Sequence, residues 1–140
     1  MERQDLPPLA LETVAAGFPS PAETYVEEPL DLHQLLIYRP AATFFVRVSG
    51  DSMTGAGIQS GDILIVDRSL TARDGSVIIA SLDGDFTVKE LRRGRDGSAW
   101  LVPANPQFRP VNVTERSDFS IFGVVTACIH QFVHEHARNN

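Results

Sequence analysis

The sequence predicts a mostly β protein: a compact, mainly antiparallel sheet or barrel-like domain behind an extended N-terminal arm with one short helix. Three observations carry that expectation. From Thr43 onward, β-branched and aromatic residues come in short runs separated by glycine-bearing turns. One such turn, Asp83-Gly84 between two apolar runs, is a strong hairpin signal. Residues 1–40, by contrast, hold six of the nine prolines and no sustained periodicity, as a partly mobile arm would.

Taken in order, the arm offers a single helix. Asp31 can cap "LHQLLIY", where Leu32, Leu35 and Leu36 share a face, and Pro40 ends it. The predicted strands are "TFFVRVS", "DILIVD", "SVIIASLD", "DFTVKEL", "AWLVP" and "FSIFGVVTACI". The C-terminal "HQFVHEHARNN" reads as a frayed helix. No internal repeat or low-complexity segment interrupts the pattern. The expected division is an arm over 1–40 and a β-rich domain over 41–140.

Composition narrows the function classes. At 140 residues with 43% hydrophobic and 21% charged content, the chain suits one globular domain. No apolar run reaches the ~18 residues of a membrane span, and the acidic, proline-broken N-terminus is no secretory signal. A cytoplasmic protein is expected. Net charge is −6; residues 1–40 hold two arginines against seven acids, and residues 41–140 hold ten basic residues against eleven acidic ones. Such a chain lacks the cationic face that phosphate neutralisation needs, so it is expected to be a poor sequence-independent DNA binder, and no direct sequence-specific DNA binding is expected. The arginines at 92, 93 and 95 precede "DGS" and read as a solvated hairpin tip. Cys128 in "GVVTACI" reads as a small buried residue. His130 and His134 have the i, i+4 spacing of metal ligands, but no cysteine or acid cluster joins them, and no metal or cofactor is expected.

Two features point to chemistry. Lys89 is the only lysine in a chain whose other eleven cationic side chains are arginine. Arginine never gives up its proton, whereas a buried lysine can become a base. Strand alternation in "FTVKEL" puts Thr87, Lys89 and Leu91 on one face, so the Thr87 hydroxyl can hold the amine, while Glu90 points away. A free lysine, with a pKa of ~10.4, must move toward ~7 to 8 to serve as a base. A shift of about three units is worth roughly 4 kcal/mol, so the amine must be dry and without a carboxylate partner. The other feature is "VSGDSMTGAGIQSGD". Ser52 stands at the exit of a glycine turn, where the N–H groups of Ser52 and Asp51 are candidate oxyanion donors. A Ser-Lys pair is the simpler proposal; a Ser-His-Asp triad assembled in space stays open at this point.

The run "SGDSM", then "GDILIVD", then "DGDFTVKEL", together with the arm "AGFPSPAETYVEEPLDLHQLL", resembles the self-cleaving serine-lysine proteins of the LexA/UmuD type. The likeness to UmuD mutagenesis proteins is the strongest and runs from about Gly17 to about Val125. It implies the LexA/UmuD catalytic fold, Ser52 as nucleophile, Lys89 as general base, and Ala16-Gly17 as the bond cut. UmuD-like proteins carry cysteine before that glycine; the alanine here resembles LexA, and both are small. The resemblance further implies the bacterial SOS response to DNA damage. RecA on single-stranded DNA would promote cleavage. The shortened chain would act as a homodimer with a Y-family translesion polymerase subunit of the UmuC type. About 26 residues separate Gly17 from Thr43 and span up to ~85 Å when extended, so cleavage within one chain or between partners is equally feasible. With sixteen acidic, proline-bearing residues ahead of the cut, a helix-turn-helix domain is not expected, nor is the membrane anchor of signal peptidases. The alternatives are a non-cleaving β-rich binding module and a LexA-like repressor.

Overall fold

The computed structural model describes residues 6–10, 13–17, 27–115 and 117–134. Contacts divide the chain into two units, Met1–Tyr38 and Arg39–Asn140.

In the first unit, strand β1 (Pro8–Ala10) pairs antiparallel with β2 (Glu27–Pro29), and helix α1 covers Leu32–Leu36. The Asp31 carboxylate accepts the Gln34 N–H at 3.2 Å, the expected cap. The helix is therefore where the sequence puts it, ending two residues early. The β1–β2 ladder corrects the picture of a purely extended arm. It joins proline-bearing tripeptides too short to show an alternation of their own.

The second unit is built on a seven-stranded antiparallel sheet. Its strands are β3 (Thr43–Arg47), β4 (Ile63–Asp67), β5 (Val77–Leu82), β6 (Asp85–Arg93), β7 (Ala99–Val102), β8 (Val111–Val113) and β9 (Phe119–Ile129). Their spatial order is β3-β4-β9-β5-β6-β7-β8, so the last strand inserts at the centre. All six predicted strands are present; β8 was not foreseen. Asp83 and Gly84 both have positive φ, 51° and 90°, the geometry of the tight hairpin that "DG" announces.

The central strand β9 is bulged twice, once between its pairings to Ile65 and Val66 and once between those to Ile79 and Ala80. Bulges increase twist and bend a sheet. The result is a curl that brings β3 toward β6 although three strands lie between them in the ladder. Beside one bulge Gly123 is required by close packing, because a Cβ there would lie 2.6 Å from the Val66 side chain. Two apolar clusters fill the domain. One joins Val48, Met53, Ile58, Leu64, Val66 and Ile79; the other joins Ile78, Ala80, Leu91 and Leu101. Neighbouring residues of β5 alternate between the two, as strand geometry dictates.

Two expectations need correction here. Residues 130–134 are not helical, and 135–140 lie outside the described residues. Cys128 is exposed rather than buried, because it sits one residue from the end of β9, where little packs over the sheet.

Candidate active site

The loop after β3 is held at both ends. Val48 donates its N–H to the Asp62 carbonyl at 2.9 Å, and Gly61 returns a bond to the Val48 carbonyl at 2.8 Å. Between them the chain turns at Gly50, φ 92°, whose N–H donates to the Ser60 hydroxyl at 3.1 Å. Met53, only 2% exposed, plugs the turn into the core beneath Ser52. A second brace comes from the segment after β7. Ala104 donates its N–H to the Ser52 carbonyl at 2.8 Å and accepts the Gly55 N–H at 2.7 Å. A Cβ on Gly55 would lie 2.5 Å from that Ala104 oxygen, so glycine is what permits the approach.

Lys89 reaches this turn from β6. Its Nζ stands 3.1 Å from Ser52 Oγ, 2.8 Å from Thr87 Oγ1 and 3.1 Å from the Val88 carbonyl. Burial holds the amine below its ordinary value, and among the described residues no carboxylate opposes the shift. Glu90 is occupied elsewhere, accepting from Arg92 Nε at 2.8 Å. The three contacts match the three N–H donors of an ammonium; on losing a proton the amine keeps two donors, enough for Thr87 and Val88, and has a lone pair for the Ser52 hydroxyl. The pair opens on a cleft of about 240 Å³ whose walls include Val46, Val48, Ile79 and Phe86.

The sequence-derived residues thus fall into two groups. Ser52, Lys89 and Thr87 come together in one cleft, and Asp51 adjoins them. Neither the Asp51 nor the Ser52 N–H is taken up by a backbone turn bond among the described residues. Ala16 and Gly17 belong to the other unit, where both are exposed at a bend. What sequence reading missed is the contribution of Ser60, ten positions along from the Gly50 it braces, and of Ala104 and Asn105, the latter 54 positions from its partner Asp51.

The histidine and cysteine candidates meet a different fate. Asp62, 2% exposed, accepts the Gln59 N–H at 2.8 Å and the Cys128 thiol at 3.2 Å, and bonds His130 Nδ1 at 2.5 Å. His130 therefore does have an orienting acid, yet the Ser52 hydroxyl is bonded by Lys89 instead. Among the described residues no group of three or more metal-ligating side chains is arranged to hold an ion. Although the residue as a whole is exposed, partial burial of its thiol against Asp62, then the hydrogen bond and charge of that carboxylate, push the Cys128 thiol up to about 11. Alkylation of Cys128 by iodoacetamide is accordingly expected to be slow at pH 8 and to rise steeply toward pH 11. Rapid labelling at pH 8 would contradict the Asp62 contact.

At the head of the cleft a serine hydroxyl thus lies 3.1 Å from a partly dehydrated lysine, on a curled antiparallel sheet. The family model described as Peptidase S24-like matches residues 8–126, and the chain belongs to that family. It is 47% identical to protein ImpA of Escherichia coli over 127 residues, 89% of this chain and 83% of that protein. Protein SamA of Salmonella typhimurium is 48% identical over 128 residues, 91% of this chain and 88% of its own length. Protein MucA of Escherichia coli is 46% identical over 122 residues, 85% and 81% of the two chains. Among the described residues no helix is long and apolar enough to cross a membrane.

Proposed function

We propose that this protein is a self-cleaving serine-lysine peptidase of the bacterial SOS response that removes its own residues 1–16. The observation that carries the reading is the 3.1 Å contact between Lys89 Nζ and Ser52 Oγ, with burial, and among the described residues no carboxylate, acting on the amine. Neutral Lys89 takes the Ser52 proton as the oxygen attacks the Ala16 carbonyl carbon. The tetrahedral oxyanion is held by backbone N–H groups of the glycine turn. Collapse breaks the Ala16–Gly17 bond, and Lys89 delivers its proton to the departing Gly17 amine. Water, deprotonated by Lys89, then attacks the acyl carbon and releases residues 1–16 with Ser52 restored. The reaction runs once per chain, so the machinery of a protease serves as a switch.

The same resemblance supports the wider setting, and the relatives ImpA, SamA and MucA are in keeping with it. A RecA filament on single-stranded DNA promotes the cut, and residues 17–140 act as a homodimer with a Y-family translesion polymerase subunit in the cytoplasm. The test is simple. Purified protein held at pH 10 and followed by mass spectrometry is expected to yield a 17–140 fragment, absent from Ser52→Ala. An intact wild-type chain would favour a non-cleaving binding module.

A further inference from the structure

From the geometry of the segment after β7, we infer that Asn105 is a positioning residue that aims the Ser52 N–H at the oxyanion. The inference rests on the self-cleavage reading. Asn105 Nδ2 donates to the Asp51 carbonyl at 2.8 Å, across 54 positions of sequence. Asp51 C=O and Ser52 N–H belong to one peptide unit. In a planar trans unit the two point in opposite directions. Holding the carbonyl toward Asn105 therefore turns the Ser52 N–H away from the 104–105 segment. Neither Ala104 nor Asn105 lines the cleft, whereas Ser49 and Ser52 do. The N–H is thus turned to the side where the Ala16 carbonyl oxygen has to sit.

Ala104 does the same for the next unit. Its N–H holds the Ser52 carbonyl at 2.8 Å, which turns the Met53 N–H in the same sense. Two successive peptide units are oriented alike by two successive residues. One of the two clamps is the Ala104 backbone N–H; the other is the Asn105 side chain, whose 2.8 Å bond to the Asp51 carbonyl is much shorter than the 3.4 Å turn bond which that carbonyl also accepts from the Thr54 N–H. That side chain is fixed in turn. Its Oδ1 accepts the Gln107 N–H at 3.0 Å, and its carbonyl accepts the Phe108 N–H at 3.0 Å. The carboxamide oxygen is spent on its own turn, leaving the nitrogen to hold Asp51. A glycine turn such as Ser49-Gly50-Asp51 is free to rotate its peptide units unless something pins them. Preorganised donors are effective because they need not reorient as charge develops.

Asn105→Ser separates the two jobs. A serine hydroxyl can still cap Gln107 but is too short to reach Asp51. We expect the self-cleavage rate at its high-pH plateau to fall by about 10- to 100-fold, since loss of one oxyanion donor costs about 100- to 1,000-fold and here the donor is only left unaimed. The midpoint of the pH profile should stay where it is in wild type, because Lys89 is untouched, and Tm should change little. The Ser52 amide resonance should move as the hydrogen bond to its peptide unit is lost. Asn105→Asp, which keeps the reach and the cap but offers no donor, should lose plateau rate likewise and serves if the serine variant fails to fold. Wild-type cleavage rates in both variants would overturn the inference while leaving the peptidase reading intact. A displaced midpoint in Asn105→Ser would also overturn it, since it would place the effect on Lys89. A wild-type chain that never cleaves at high pH would remove the reading and the inference together.

Discussion

Lys89→Arg is expected to fold as wild type does and to lose self-cleavage by at least about 1,000-fold, the upper part of the range for a missing general base. The charge is retained and the apolar stem is similar. What disappears is the ability to become neutral, because a guanidinium keeps its proton at any pH the protein survives. The sign of the pH dependence follows from the same fact. Lysine acts as a base only when deprotonated, so the wild-type rate should climb with pH through the folded-state midpoint. Burial places that midpoint below the ordinary lysine value. Lys89→Arg should show no such climb. The measurement is first-order appearance of the 17–140 fragment across pH, with circular dichroism to show that the fold is kept; wild-type rates would refute the base assignment. Linkage adds a check on stability. Between the depressed folded midpoint and the unfolded one near ~10.4, the unfolded chain binds more protons, so the Lys89 contribution to stability rises with pH across that window.

The second large effect is structural. Leu64 is fully buried on β4 and shares a cluster with Val48, Met53 and Ile58, residues on both sides of Ser52 in the chain. Leu64→Ala should cost about 2 to 5 kcal/mol by lost burial and an unfilled cavity. For a domain of this size that lowers Tm by about 7 to 20 °C in a thermal melt. Cleavage should slow as well, since Met53 holds the nucleophile turn down onto this cluster. A Tm indistinguishable from wild type would show that the cluster is not the platform described.

Much of this architecture was legible in residue order, and the reasons are specific. The Asp31 cap, the Asp83-Gly84 hairpin and the alternation that aligns Thr87 with Lys89 are local signals, each spanning a few residues. Lys89 stood out through contrast with a chain that otherwise uses arginine. What could not be read depends on contacts between distant residues. The His130–Asp62 pair spans 68 positions, and Asn105 meets Asp51 across 54. Strands β1, β2 and β8 are three residues each, too short to display a period. Cys128 misled because apolar neighbours predict burial only where something packs above them.

Because the chain has a single lysine, the protonation of that amine can be followed without ambiguity. Lysine labelled with ¹³C at Cε and incorporated into the Ser52→Ala protein, which cannot cut itself during the titration, gives one side-chain signal. A midpoint clearly below the ~10.4 of free lysine is the predicted result. A midpoint at or above that value would mean the amine stays charged at the pH where the protein works, and Lys89 could not be the base.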